Sequence, residues 1–188
     1  MHIGLYFGSF NPIHNGHIAI AEYMYQQFGF DKIWFIVSPS NPLKKETDLL
    51  NEYKRLELVK IAIKNKNYFA ASDIEFQMKK PSYTYLTLQK IYTEYPQHTF
   101  ALILGGDNID DIKLWKNYEE ILKNYTIYIY PRSKKTEHIA KENIIFTTPP
   151  LLNISSTQVR KKIKNKEDIS SFVCPDVCKI IEKEKLYF

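Results

Sequence analysis

Two histidines three positions apart, His14 and His17, frame Gly16 in a stretch that also holds Gly8, Ser9 and Phe10. The apolar run Ile3 to Phe7 before them reads as a buried strand. Gly8 and Pro12 break it, and the unbroken stretch Ile18 to Phe28 reads as a helix. A strand, a tight loop and a helix start make an anion site, because the first amides of a helix lack partners and the helix dipole is positive at that end. Histidines at this spacing on a first turn share a face, so both imidazoles could meet one phosphate. Ser9 adds a hydroxyl donor, and Gly8 lets the backbone come close. A helix cap and a glycine-rich turn that binds nothing is the plainer reading of the same residues.

Further phosphate donors lie along the chain: Lys44 or Lys45 in a Pro- and Lys-rich loop, Arg132 after an apolar run, and Ser156, Thr157 and Arg160. The last three fall on a predicted helix over Ser155 to Asn165, where Ser155 and Gln158 have capping-box spacing. Such a set positions phosphates and neutralises charge, which is most of what phosphoryl-type transfer asks of a protein. Loop lysines are ordinarily solvated, Arg132 also suits the exposed end of a strand, and Arg55 lies in a helix as a candidate structural residue. The chain has no Walker loop, no Gly-x-Gly-x-x-Gly and no Gly-x-Ser-x-Gly elbow, which argues against P-loop, dehydrogenase and α/β-hydrolase chemistry.

The elements that must position these residues alternate. Strands are expected at Ile3 to Phe7, Lys32 to Val37, Tyr68 to Ser72, Thr99 to Leu104, Tyr125 to Tyr130 and Ile144 to Thr147. Helices are expected over 18–28, 51–65, 85–95 and 155–165 and near the C-terminus, with a short one between Asp107 and Trp115. Residues 133–143 read as a polar surface excursion. Nearly continuous apolar strands suit a parallel sheet buried on both faces. The fold class is therefore α/β, a Rossmann-like open, mostly parallel sheet with helices on both faces, in one domain over 1–188. In such sheets ligands bind beyond the carboxyl ends of the strands. Gly8 to His17, the loop 38–45, Gly105 to Asp107 and Pro131-Arg132 all follow strands.

Composition narrows the class. The 188 residues carry a net charge of +5, mostly from lysine, with Arg55, Arg132 and Arg160 as the three arginines. A nucleic-acid reader ordinarily carries more arginine, so the excess reads as a solvated face that also attracts anionic nucleotides. No apolar run approaches the ~20 residues of a membrane span, and no basic leader precedes an apolar core. A soluble, cytoplasmic protein is expected, without nucleic acid or membrane partners. Cys174 and Cys178 have no second ligand pair, so they read as reduced, half-buried thiols, and no protein-held metal site is expected.

Gly8-Ser-Phe-Asn-Pro-Ile-His-Asn-Gly-His17 together with Ile154-Ser-Ser-Thr-Gln-Val-Arg160 resembles the nucleotidyltransferase superfamily with the His-x-Gly-His signature. Within it the chain is similar to the bacterial nicotinate-nucleotide adenylyltransferases, through Asn41-Pro42, Lys44-Lys45, Arg55, Ser72-Asp-Ile-Glu75, Pro81-Ser-Tyr-Thr84, Gly105-Gly-Asp107, Trp115 and Pro131-Arg132. Leu43-Lys44 stands where relatives commonly have Pro-His, and Leu86 where many have Asp. The resemblance implies transfer of AMP from ATP to nicotinate mononucleotide, giving deamido-NAD and pyrophosphate in NAD biosynthesis. Mg²⁺ would be bound through the ATP phosphates. The same chemistry on nicotinamide mononucleotide or another phosphate acceptor is the alternative, and a non-catalytic nucleotide-binding module a further one. A homo-oligomer is compatible with the sequence.

The resemblance also implies roles. His14, His17 and Lys45 would act on the phosphates in catalysis. Gly8, Ser9, Phe10, Gly105, Asp107, Ser156, Thr157 and Arg160 would join the histidines in binding ATP, with Asp107 on a ribose. Ser9, Lys45, Tyr83, Thr84, Trp115 and Arg132 would receive nicotinate mononucleotide, Trp115 stacking on the pyridine ring and Tyr83-Thr84 meeting its carboxylate. Trp115 also suits a plain core position and Asp107 a helix cap.

Overall fold

The first strand, β1 (His2–Gly8), lies at the middle of the sheet, where an apolar run flanked by two partners is shielded on every side. The structure is a computed structural model that describes residues 1–40, 48–131, 142–150 and 152–188. β2 (Lys32–Val37) pairs with one edge of β1, and β4 (Thr99–Gly105) pairs with the other. β3 (Phe69–Ser72) lies outside β2, while β5 (Ile127–Tyr130) and β6 (Ile144–Phe146) continue beyond β4. The six-stranded order is β3-β2-β1-β4-β5-β6, and every pairing is parallel. The expected open, mostly parallel sheet is thus present and parallel throughout its described strands.

Side chains alternate across the sheet, and two cores result. Tyr6, Ile33, Phe35, Val37, Ala101 and Ile103 face one way. They pack against α1 (Asn15–Gln27), α2 (Glu52–Ile63), α6 (Ser156–Lys164) and α7 (Pro175–Lys183), which supply Met24, Val59, Val159 and Val177 among others. Ile3, Leu5, Ile36, Leu102 and Leu104 face the other way, toward α3 (Thr84–Glu94), the short α4 (Gly106–Asp110) and α5 (Tyr118–Asn124). A single 3-10 turn, Ile112–Leu114, joins the last two. The chain leaves β1 through α1 to one side and returns through α3 to β4 on the other. The carboxyl ends of β1 and β4 therefore flank the point where the strand order reverses, the usual position of a crevice.

Several boundaries differ from expectation for local reasons. α1 begins at Asn15, not at the apolar Ile18, because His14 takes an extended backbone (φ −146°, ψ 168°) and serves as its N-cap. β5 starts at Ile127 because Tyr125 still donates its N–H to the Ile121 carbonyl at the end of α5. Gly105 and Gly106, expected in a loop, end β4 and begin α4 directly. Lys44, Lys45 and Arg132, with most of the 133–143 excursion, lie outside the described residues. Cys174 caps α7 and Cys178 lies within it, both as half-buried free thiols. Among the described residues no helix is long and apolar enough to cross a membrane.

Candidate functional site

A cleft of about 770 Å³ opens above the carboxyl ends of β1 and β4. The loop after β1 and the first turn of α1 form one wall, and residues 152–160 leading into α6 form the next. The entry of α3 and the turn 114–116 close the opposite side.

On the first wall the two histidines are 7% exposed each and lie against one another, ring centroids 3.6 Å apart and planes 24° apart. His14 is the N-cap of α1 and His17 its third residue, so both imidazoles belong to one helix start. The backbone N–H of His14 donates to Nδ1 of His17 at 3.2 Å. That acceptor role puts the proton of neutral His17 on Nε2, which makes it a hydrogen-bond donor. Gly16 makes the stacking possible. A Cβ there would stand 3.0 Å from Nδ1 and 3.1 Å from Cε1 of His14.

Phe10 braces the pair from below. Its ring is fully buried and meets His17 edge-on at 5.1 Å and Tyr6 at 5.6 Å. It lies so close to Gly8 that a Cβ on residue 8 would be 2.9 Å from Phe10 Cζ. Phe10 has φ +46°, a left-handed conformation uncommon for a large side chain, which folds the ring under the loop it belongs to. Phe10 thus stands in the wall through its backbone, while its ring supports a histidine.

Arg55 fixes the same loop from inside the protein. Its side chain is completely buried and donates to the carbonyls of Ser9, Ser38 at 2.8 Å, Pro39 at 3.0 Å and Leu50 at 2.7 Å. One guanidinium therefore ties the loops after β1 and β2 to the start of α2. Its planar fork suits several carbonyls at once, which a lysine cannot reproduce. The structural role considered for Arg55 from sequence is what its contacts describe.

The second wall is joined to the first by two hydrogen bonds. Ser156 Oγ donates to the Pro12 carbonyl at 2.9 Å, and Arg160 Nη1 to the Asn11 carbonyl at 2.7 Å. The capping box of α6 forms as its spacing indicated: Gln158 N–H donates to Ser155 Oγ at 3.2 Å, and Ser155 N–H to Gln158 Oε1 at 2.8 Å. Two helix N-termini thus stand side by side, and neither α1 nor α6 has an acidic residue in its first turn. Two neighbouring helix starts with no acidic residue in either first turn favour an anion between them.

The opposite side is built differently. Tyr83 caps α3 without a side-chain cap bond, and Thr84 and Trp115 line the cleft beside it. The Lys116 ammonium lies 5.2 Å from the centre of the Tyr83 ring. Trp115 is half-buried, packs against the second core and also lines the cleft. Beneath Tyr83 lies Glu75, 2% exposed. Its carboxylate accepts from Ser82 Oγ and Thr87 Oγ1, both at 2.8 Å. Burial pushes its pKa up, opposed by the hydroxyls of Ser82, Thr87 and Ser38.

The cleft thus brings together Gly8, Ser9, Phe10, His14, His17, Tyr83, Thr84, Trp115, Ser156, Thr157 and Arg160. Gly105 and Asp107 are not on its wall; their turn contributes Asn108 instead. Lys45 and Arg132 lie outside the described residues. Sequence reasoning assigned no role to Asn108, Lys116, Ser38, Ser82 or Glu75. Glu75 and Ser82 stood inside quoted motifs, but seven residues separate them and nothing local shows that they meet. Among the described residues no group of three His, Cys, Asp or Glu could hold a metal ion.

Residues 5–162 match the family described as Cytidylyltransferase-like. A Cytophaga hutchinsonii protein named "Probable nicotinate-nucleotide adenylyltransferase" is 46% identical over 189 residues, covering 100% of this chain and 98% of that protein. A Flavobacterium psychrophilum protein of the same name is 43% identical over 191 residues, covering 100% and 99%. Among solved structures, Plasmodium falciparum nicotinic acid mononucleotide adenylyltransferase complexed with NaAD superposes with a TM-score of 0.82. It is 24% identical and covers 99% of this chain and 97% of that one, a likeness of fold.

Proposed function

Since this chain belongs to the nicotinate-nucleotide adenylyltransferase family, we propose that it transfers AMP from ATP to nicotinate mononucleotide, releasing pyrophosphate. A phosphate oxygen of the mononucleotide attacks the α-phosphorus of ATP. A new P–O bond forms there, and the bond to the bridging oxygen of the β-phosphate breaks. The observation that carries this reading is the pairing of two helix N-termini through Ser156 and Arg160 on the Pro12 and Asn11 carbonyls. It supplies donors to a triphosphate from two directions.

Each residue then has a physical task. His17, a donor at Nε2, and His14 beside it hold phosphate oxygens and meet the charge that grows on them as the bond to phosphorus changes. Preorganised donors of this kind lower the barrier because they need no rearrangement as charge develops. The backbone amides of Ser156 and Thr157 at the start of α6, with the Thr157 hydroxyl and the remaining Arg160 N–H groups, hold the leaving pyrophosphate, and Ser9 with the amides after Gly8 receives the attacking phosphate. Mg²⁺ enters with ATP as part of the substrate and offsets the triphosphate charge. N–H and O–H donors fit the phosphates of such a substrate.

At the acceptor end, Trp115 stacks on the pyridine ring. The amides of the α3 entry at Tyr83-Thr84 and the Lys116 ammonium favour a carboxylate on that ring. Lys45 and Arg132 complete the phosphate contacts in this reading. The test is pyrophosphate release from Mg-ATP with nicotinate mononucleotide, nicotinamide mononucleotide or phosphopantetheine. Release with nicotinate mononucleotide is expected to exceed the others. No release with any acceptor refutes the reaction, and a preference for the amide refutes the acceptor.

A further inference from the structure

Among the described residues Glu75 is the one Asp or Glu with a fully buried side chain, and it forms no ion pair there. A buried charge without a cation is expensive and persists where its hydrogen bonds do something that an apolar residue could not. Its bonds have a definite arrangement. Ser82 and Thr87 both donate to it at 2.8 Å, one to each carboxylate oxygen. Tyr83 and Thr84, which line the cleft, lie between those two anchors. Ser38, just after β2, offers its carbonyl to Arg55. The α3 entry has no cap of its own, since the Tyr83 side chain makes no cap bond.

We propose that Glu75 is a positioning residue for the acceptor: its carboxylate pins the chain at Ser82 and Thr87 and so holds Tyr83 and Thr84 in the geometry that receives the pyridine ring. The proposal rests on the reading of the acceptor site given above. Glu75 touches no reacting atom. It links the α3 entry to the chain that follows β3 through the Ser82 and Thr87 hydroxyls. The ATP side, built on α1 and α6, has its own ties and does not depend on Glu75.

The experiment is steady-state kinetics of the full chain with Mg-ATP and nicotinate mononucleotide, for Glu75→Gln, Ser82→Ala and the double variant. Glutamine keeps the shape, but its nitrogen can only donate, so one hydroxyl must turn to accept and the charge-assisted anchor there is weakened. Either single change is expected to raise KM for the mononucleotide about tenfold while KM for ATP stays within about twofold. The double variant is expected to be no worse than the worse single, because both break the same link. An unchanged KM for the mononucleotide, equal rises for both substrates, or multiplying effects in the double variant overturns the proposal. Should Glu75→Gln fail to fold, Ser82→Ala decides alone, since it leaves the carboxylate and the Thr87 bond in place. Wild-type release of pyrophosphate is the control: its absence refutes the reaction, whereas an active wild type with unaltered variants refutes only the role of Glu75.

Discussion

His14 donates its backbone N–H to Nδ1 of His17 at 3.2 Å while the two rings stack at 3.6 Å. The signature histidines are therefore one unit in which the first fixes the tautomer of the second. Their order in the chain matters, because the N-cap residue supplies the backbone N–H and the third helical residue supplies the side chain that reaches back to it.

His17→Ala removes the Nε2 donor but leaves the helix start in place. Turnover is expected to fall about a hundredfold or more, with the folded structure retained. Circular dichroism and pyrophosphate release measured on one preparation check both halves.

Gly16→Ala separates stability from geometry. Alanine is the better helix former by about 1 kcal/mol, yet its Cβ would lie 3.0 Å from His14 Nδ1. The expected result is a Tm that holds or rises and a kcat that falls about tenfold as the donor pair shifts. A kcat equal to wild type would show that the stacking does not set the donor geometry.

Arg55→Lys keeps the charge and loses the fork. A lysine cannot reach the Ser9, Ser38, Pro39 and Leu50 carbonyls together. Buried carbonyls left without donors are expected to lower stability by about 3 kcal/mol. Urea denaturation measures this as a lower midpoint at an unchanged slope.

Lys116→Met keeps the stem against Tyr83 and removes the ammonium. The preference for nicotinate over nicotinamide mononucleotide, as a ratio of kcat/KM, is expected to fall about fivefold, the scale of an exposed ion pair. The change should lie in the nicotinate value alone. Equal losses on both acceptors would assign Lys116 to packing.

Cys178 offers a test in pH. Burial first, and Glu182 beside it, push its thiol from 9.0 up to about 11. The folded protein therefore binds the thiol proton more tightly than the unfolded chain, and this contribution to stability fades as the pH rises above about 9. In a Cys174→Ser background, alkylation by iodoacetamide at pH 8 is expected to run about a hundredfold slower than on an unfolded control, because the thiolate is the nucleophile. The rate should climb steadily toward pH 11.

Much of this was legible in the residues because the signals are local. The strand at Lys32–Val37 appears with its expected bounds, since six successive residues and their flanking breakers define it. The capping box at Ser155 and Gln158 likewise needs only four residues to be recognised. The start of α1 was less legible, because no apolar periodicity marks a helix turn whose task is to present imidazoles to a cleft. The place of Asn108 on the cleft wall in preference to Asp107 depends on how a five-residue helix is rotated as it leaves β4. Neighbouring residues do not determine that angle.

The sequence by itself determined the alternation of strands and helices, the phosphate-directed histidines and the resemblance that names a reaction. Each of these depends on residue type and short-range spacing. Tertiary structure alone decided that His14 and His17 stack into one donor unit, and that α6 is joined to the Asn11-Pro12 loop about 145 residues away. It also decided that Glu75, Ser82 and Thr87 meet under Tyr83. The physical reason is the same in each case. Hydrogen bonds of this kind act over about 3 Å, and only the closing of the sheet and the burial of its two faces bring such distant residues that near.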